Sequence, residues 1–376
     1  MGEAHGPAAR TSDRFVLHKA RERGVTTVEL WAVDPLGQVQ VVTVPLDALD
    51  GALDEGFAVA SEALGELFER TDAELVLAPD PATFTVLGRD AARLLCDLRT
   101  LDGAPSSLCA RSALKRVIGR AGQLGSMFYV GATVQHRWTR GPEDERTIDD
   151  PRALRALGQD AARALEGHGI AWRSFYFGSD GRFCLELDWV DPLTLADAIV
   201  THRRVAHDLA AGADALHASF APFPTPGPRS RLDLYLSLTR DGAVAFDDAF
   251  EPGGVAPAAR AFIDALGAEL GGLELIMRHT LGSYPAPEAA FIGRGPAARG
   301  EGATVAVRGA DASANPYTLL AAVIGLGAEP RESLASTPVP PARSLLEAAH
   351  RASGSTCLRD LLGAELVAKV GAAATR

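Results

Sequence analysis

Apolar and polar residues alternate in some segments of the chain and recur at helical spacing in others. The alternation from Val25 to Val44 predicts a β-hairpin, because two runs rich in β-branched residues flank the turn sequence Asp34-Pro35-Leu36-Gly37. Further strands are predicted at 73–87, 127–135, 171–177, 182–189 and 231–239. Helices are predicted at 46–55, 111–124, 151–167 and 257–276, near Asp191-Pro192 and from Ser344 onward. Strands mixed with helices predict an α+β fold.

Polar and turn-rich segments divide this pattern into parts. Residues 1–14 are mostly polar, and we predict that they form a disordered tail. The turn cluster Asp102-Gly103-Ala104-Pro105 predicts a boundary between a domain at 15–104 and a larger domain at 105–376.

Composition narrows the classes of protein that the chain can represent. The 376 residues suffice for two domains, and the net charge of -11 argues against a nucleic-acid-binding surface but leaves room for a local basic site. No run of about 18 apolar residues occurs, so no membrane span is expected. The N-terminus lacks an apolar signal core and the 4 cysteines form no CxxC pair, which predicts a reduced cytoplasmic protein. The bias towards Ala, Gly and Arg is typical of a GC-rich bacterial genome.

General motif searches give one candidate site. The sequence contains no Walker-type phosphate loop, no HExxH, no GxSxG and no zinc-finger spacing. The glycine-rich segment 293–302 is either a flexible surface loop or a clamp in which Arg294 and Arg299 bind a phosphate or carboxylate. The scattered histidines His136, His207 and His217 do not pair at metal spacing, and we expect them to be structural or exposed.

Seven segments of the chain resemble the glutamine synthetase family, in the family's order and across almost the whole sequence. They are 33–37; 71–72 with 78–83; 96–97 with 102–103; 109–116; 191–192 with 196–197; 283–284; and Arg308 with Asp311 and Ser313–Tyr317. The resemblance implies an N-terminal β-grasp domain, a catalytic-type α/β domain, and a ring-shaped homo-oligomer with a pocket shared between neighbours. In that family, carboxylates and a histidine hold two divalent ions that bridge the phosphates of ATP.

At the family's metal-binding positions, however, nearly every acidic ligand is replaced. The residues found there are Thr133, Gln135, Phe177, Cys184, Asp233 and Ala306, and Tyr235 replaces a second histidine. Glu288 matches the family's flap glutamate. The surviving basic residues are Arg308, which matches well, and Arg294 and Arg299, which keep the five-residue spacing of a basic pair. The resemblance therefore implies no metal ion and no other cofactor in this chain.

Strand periodicity indicates which of these side chains share a face, since residues i and i+2 point the same way. Arg182 should lie beside Cys184, Thr133 beside Gln135, and Arg231 beside Asp233 and Tyr235. We expect Arg182, Arg231, Arg294, Arg299 and Arg308, with Thr133 and Gln135, to bind an anionic small molecule.

Three functions remain open from the sequence. The chain is a glutamine synthetase-like protein without the Mg-ATP site, which binds an anion or a partner in a regulatory or pseudoenzyme role. Alternatively, it is a repurposed ligase or transferase of specialised metabolism, with Cys184, Asp233, Tyr235 and Glu288 as reactive groups. The third function is a metal-dependent carboxylate–amine ligase with rebuilt ligands. A simpler interpretation of Cys184 is that it fills space in the core.

Overall fold

The computed structural model describes residues 7–65, 68, 74–141, 148, 150–213, 216–222, 229–247, 256–284, 290–295, 303–328 and 340–374. The chain forms two compact units. The smaller unit comprises Met1–Ser112 with Glu166–Ile170, and the larger comprises Ala113–Leu165 with Ala171–Arg376.

Both units contain strands and helices. The strands are β1 (Thr27–Val33), β2 (Val39–Pro45), β3 (Phe57–Val59), β4 (Leu75–Pro79), β5 (Thr85–Leu87), β6 (Ala91–Thr100), β7 (Ser126–Thr139), β8 (Trp172–Phe177), β9 (Phe183–Val190), β10 (His217–Ser219), β11 (Arg231–Arg240), β12 (Ala243–Val244), β13 (Phe291–Arg294) and β14 (Val305–Asp311). The helices are α1 (Pro7–Glu22), α2 (Leu49–Asp54), α3 (Ala110–Gln123), α4 (Pro151–Gly167), α5 (Pro192–Ala211), α6 (Pro257–Ala268), α7 (Leu270–Met277), α8 (Pro316–Ala328), α9 (Leu345–Gly354), α10 (Thr356–Leu362) and α11 (Ala364–Ala374). None of these described helices is long and apolar enough to cross a membrane.

The smaller unit is built on a sheet with the strand order β2-β1-β6-β4-β3, in which β5 also pairs with β6. The predicted hairpin is confirmed, because β1 and β2 pair antiparallel up to Val33 opposite Val39. One carboxylate oxygen of Asp34 fixes the turn by accepting hydrogen bonds from the backbone N–H groups of Leu36 and Gln38, each at 2.9 Å. At the centre of the sheet β1 and β6 run parallel, with Leu30 opposite Leu94 in the core.

Helix α1 differs from the sequence prediction. It begins at Pro7, inside the segment 1–14 for which we predict disorder, while residues 1–6 lie outside the described residues. The helix has a physical anchor, because Val16 and Ala20 lie one turn apart and are fully buried in the core of the smaller unit. A proline is well suited to the first helical position, where the N–H that it lacks would have no partner in the helix.

The larger unit is built on an antiparallel sheet with the order β13-β14-β11-β7-β9-β8, to which β10 and β12 add at β7 and β11. Helix α5 packs against β7 and β9 on one face of this sheet. Its predicted start is confirmed, because the Asp191 side chain accepts hydrogen bonds from the backbone N–H groups of Leu193 and Thr194. On the face that α5 covers, aromatic side chains of β7 and β9 form a buried cluster with Trp138 and Phe183 at its centre.

The single helix predicted at 257–276 is wrong in one respect, since it is divided into α6 and α7 at Glu269. The side chain of Glu269 accepts a hydrogen bond of 2.9 Å from the hydroxyl of Ser355. Gly272 lies so close to α10 that a Cβ there would be 3.0 Å from a methyl carbon of Leu358. The start of α10 therefore packs closely against the point where α6 and α7 meet, which accounts for the break. No local sequence pattern predicts this contact.

Two histidines in the aromatic cluster make the stability of the fold depend on pH. His136 and His202 are fully buried, and their ring nitrogens find no hydrogen-bond partner among the described residues. Burial lowers the pKa of His136 well below its usual range and that of His202 to about 3, and positive charge nearby contributes to both shifts. Below pH 6.5 the unfolded chain therefore binds protons that the folded chain excludes.

We predict that stability is fully present above about pH 6.5 and falls below it, by about 1.4 kcal/mol per pH unit for each such histidine. Urea unfolding measured at pH 7.5 and at pH 5.5 tests this. The His202→Phe variant should show a shallower decline, whereas His350→Gln, which changes an exposed histidine on α9, should not. A free energy of unfolding that stays constant across this range would contradict the prediction.

Candidate functional site

Strand register brings most of the candidate residues together on one face of the larger sheet. Thr133 of β7 lies opposite Asp233 of β11, and Gln135 of β7 lies opposite Cys184 of β9. The side chains of such directly paired residues point the same way. We call the face that carries the following residues the polar face: Thr133, Gln135, Arg182, Cys184, Arg231, Asp233 and Tyr235.

Arg182 is held rigidly at one edge of the polar face. Its Nη1 donates hydrogen bonds of 2.9 Å to the side-chain oxygen of Gln135 and to the backbone carbonyl of Arg229. Its Nε donates to Asp180 at 2.7 Å, and Asp180 also accepts a bond of 2.7 Å from Arg137. Burial alone would raise the pKa of Asp180, but the hydrogen bonds and charges of the two arginines outweigh it and lower that pKa. The Asp180 carboxylate is thus shared between the guanidiniums of Arg137 and Arg182.

Asp233 is the carboxylate at the centre of the polar face. It is 5% exposed, and it accepts a hydrogen bond of 3.2 Å from the backbone N–H of Gly309. Burial raises its pKa, although Arg231 at 4.0 Å, the Gly309 N–H, Arg308 and Arg182 all act in the opposite direction. Three guanidiniums therefore lie within electrostatic reach of a single buried carboxylate.

Arg308 lies between two aromatic rings at the other side of the polar face. Its guanidinium carbon is 5.6 Å from the ring centre of Tyr235 and 5.6 Å from that of Phe291, its cross-strand neighbour. Its Nε is buried and has no hydrogen-bond partner among the described residues. A buried charged donor without an acceptor is costly, so this N–H marks a position where an acceptor oxygen would be stabilised.

Cys184 has the environment of a packed side chain rather than that of a nucleophile. It is 3% exposed, and burial raises the pKa of its thiol despite a hydrogen bond with Tyr176 and the charge of Arg182. A thiolate is the reactive form of cysteine, and a raised pKa disfavours it.

The donor set on the polar face does not fit a pair of divalent ions. Thr133, Gln135 and Cys184 offer a hydroxyl, an amide and a thiol, whereas hard cations require several carboxylate oxygens. Phe177 pairs with Phe183 and so belongs to the opposite, aromatic face. In the part of the chain that the structure describes, no group of three or more His, Cys, Asp or Glu side chains could hold a metal ion.

The remaining candidates do not join the polar face. Arg294 is exposed on β13 at the register position of Val305, which places it on the opposite side of the sheet from Arg308. Arg299 and Glu288 lie outside the described residues.

Three contributors to the site were missed from the sequence. Arg137 lies two residues beyond Gln135, so strand alternation could have identified it. Tyr176, which lies opposite Cys184, could not be identified without the register between β8 and β9. Asp180 belongs to the turn between these strands, where the sequence carries no signal for its two arginine partners.

Two bacterial glutamine synthetases are similar to this chain over most of its length. No protein-family model matches the chain. It is 27% identical over 354 residues to a glutamine synthetase of Mycolicibacterium smegmatis, covering 83% of this chain and 79% of the relative. It is 29% identical over 391 residues to a glutamine synthetase of Thermus thermophilus, covering 93% and 86%.

Two solved structures share the fold. A complex of GmaS with ADP has a TM-score of 0.82 at 21% identity, covering 96% of this chain and 94% of that one. GmaS without ligand has a TM-score of 0.81 at 22% identity, covering 96% and 95%.

Proposed function

This chain is a divergent member of the glutamine synthetase family. We propose that it binds an anionic small molecule at the polar face without a divalent ion. The proposal includes the loss of glutamine synthesis, and it leaves the protein a regulatory or pseudoenzyme role. The observation that carries it is the environment of Arg308, whose buried Nε has no acceptor among the described residues.

The balance of charge on the polar face supports an anion as the missing partner. Asp233 is the only carboxylate among the residues that define the polar face, and Arg182, Arg231 and Arg308 all act on it. Guanidiniums remain charged at any physiological pH and repel one another, so an added anion relieves this repulsion. Forked N–H donors match carboxylate and phosphate oxygens, which defines the chemical class of the ligand.

Two further carboxylates lie near the polar face: Asp180, which is shared between Arg137 and Arg182, and Glu186. Glu186 of β9 lies opposite Thr133, and it accepts a hydrogen bond of 2.9 Å from the hydroxyl of Ser174 on β8. It also lies 3.9 Å from the Nε of Arg173. These contacts hold Glu186 at the β8 edge of the sheet, which is the edge far from Arg308 on β14.

The polar face supports binding better than it supports new chemistry. A repurposed enzyme would need an activated group, and Cys184 is the natural candidate. Its raised pKa disfavours that role. Asp233 is enclosed and already accepts a backbone hydrogen bond. No observation favours a catalytic use of Tyr235, which packs under the Arg308 guanidinium.

Two further proposals follow from the family. The smaller unit is the β-grasp domain, supported by its hairpin β1–β2 and by the central parallel pair of β1 with β6. The chain assembles into a ring of identical subunits, as the family resemblance implies. Light scattering coupled to size-exclusion chromatography tests the ring: a mass several times the 39.4 kDa of one chain is expected, and a monomer at micromolar concentration would contradict it.

We predict that anion binding survives removal of metal ions and depends on Arg308. Calorimetry with glutamate, citrate and inorganic phosphate, each in the presence of EDTA, should reveal binding of at least one of them. Arg308→Ala should weaken it about tenfold or more, because a hydrogen bond to a charged group contributes roughly 1.5–3 kcal/mol. Arg308→Lys should retain part of the affinity, since it keeps the charge but loses the fork.

The matched control for this experiment is Arg359→Ala, which removes an exposed arginine of α10. It should leave binding unchanged. Binding that disappears with EDTA, or that is equally strong in the Arg308→Ala variant, would show that the polar face works differently.

We also predict that the purified protein forms no glutamine from glutamate, ammonia and Mg-ATP. The reason is the replacement of carboxylate ligands by Thr133, Gln135, Cys184 and Ala306. Phosphate release should equal that of a protein-free reaction, with an active glutamine synthetase as the positive control. Phosphate release that requires both glutamate and ammonia would refute the prediction.

A further inference from the structure

A cavity of about 750 Å³ lies on the larger unit, and its lining does not include the residues that define the polar face. Its walls are the first turns of α4, the strand β8 and the turn between β8 and β9. This volume lies within the range of about 300–1,000 Å³ that is usual for small-molecule sites. Neither the family resemblance nor the proposed anion site accounts for it.

The floor of this α4–β8 cavity is apolar and partly aromatic. Leu154, Phe175 and Phe177 line it together with Ile148 and Pro151. The two phenylalanine side chains are held firmly by the helix behind them, because a Cβ at Gly158 would be 2.7 Å from a ring carbon of Phe175. Both rings are only partly buried, so they present apolar surface to whatever enters the cavity.

The rim of the cavity is polar and includes the guanidinium of Arg155. Arg155 and Gln159 lie four residues apart on α4 and therefore share a helix face. Arg155 is exposed and forms no ion pair with any described residue. The carboxylate on the opposite wall, Asp180, is already bound by Arg137 and Arg182, so it does not neutralise Arg155.

An apolar aromatic floor beneath a guanidinium that has no ion-pair partner among the described residues matches one kind of ligand. We propose that the α4–β8 cavity is a second small-molecule site, specific for a carboxylate joined to an aromatic or branched apolar group. The ring of such a ligand packs on Phe175 and Phe177, and its carboxylate accepts hydrogen bonds from Arg155.

This second site is distinct from the anion site but touches it through two side chains, because Asp180 lines the cavity and binds Arg182 of the polar face. Tyr176 lines the cavity and also hydrogen-bonds to Cys184 on the polar face. The inference does not rest on the proposed function, because none of the cavity residues it uses contacts Arg308 or Asp233 among the described contacts. The two can therefore be tested separately.

The test uses 3-phenylpropionate and its neutral amide as probes, with ligand-observed NMR and calorimetry on the full chain. The carboxylate should bind at least about tenfold more tightly than the amide, as expected for one charge-assisted contact. Arg155→Gln should remove this preference. Gln159→Trp, which fills the cavity from its rim, should abolish binding of both probes.

Two control variants separate the α4–β8 cavity from nearby surface charge and from the polar face. Arg152→Gln changes a neighbouring exposed arginine of α4 that does not line the cavity, and it should bind both probes as the native protein does. Arg308→Ala, which weakens binding at the polar face, should still bind 3-phenylpropionate more tightly than its amide. The proposal is overturned if the native chain binds neither probe at 10 mM, if Arg155→Gln or Gln159→Trp has no effect, or if Arg308→Ala abolishes binding. Thermal unfolding of each variant confirms that it is folded.

Discussion

The pairing register of β7 with β9 and β11 is the constraint on which the rest of the larger unit depends. Successive side chains of β7 alternate between the two faces of the sheet, so a shift of one residue would exchange the faces completely. In the observed register His136 and Trp138 enter the aromatic core, while Thr133 and Gln135 meet Asp233 and Cys184. The burial of large aromatic side chains on one side thus fixes where the polar side chains on the other side must lie.

The polar face that results has an unusual electrostatic composition. Its arginines are supported by neighbours that orient them, such as Gln135 for Arg182 and the rings of Tyr235 and Phe291 for Arg308. The rings of Tyr235 and Phe291 hold the Arg308 guanidinium in place without neutralising it, whereas Arg182 is also bound by the carboxylate of Asp180. The positive potential is therefore retained mainly at Arg308, where a carboxylate partner would cancel it.

The sequence predicts the fold better than it predicts the site. The hairpin of β1 and β2, the start of α5 and the grouping of Thr133 with Gln135 follow from local periodicity and turn chemistry, which are properties of neighbouring residues. The overall architecture is predicted by the family resemblance rather than by local patterns. The division at Glu269 and the anchoring of α1 through Val16 and Ala20 depend on contacts with distant segments, and no local sequence pattern predicts these contacts.

The site was predicted incompletely for a similar reason. Alternation along one strand identifies which residues share a face, but register between strands decides which of them meet. The alignment position of Phe177 pointed to the polar face, yet the register places Tyr176 there instead. Arg294 shows the same effect, because its register with Val305 places it on the side opposite Arg308.

The central claim is that the buried Nε–H of Arg308 receives an acceptor oxygen from a bound anion without a metal ion. The most direct measurement is the NMR signal of that Nε–H, assigned by its loss in Arg308→Lys, during titration with an anion in the presence of EDTA. The account predicts a downfield shift of the Nε proton and slower exchange with water as the anion binds. An anion that binds without changing this signal, or that changes it only when Mg²⁺ is added, would contradict the account.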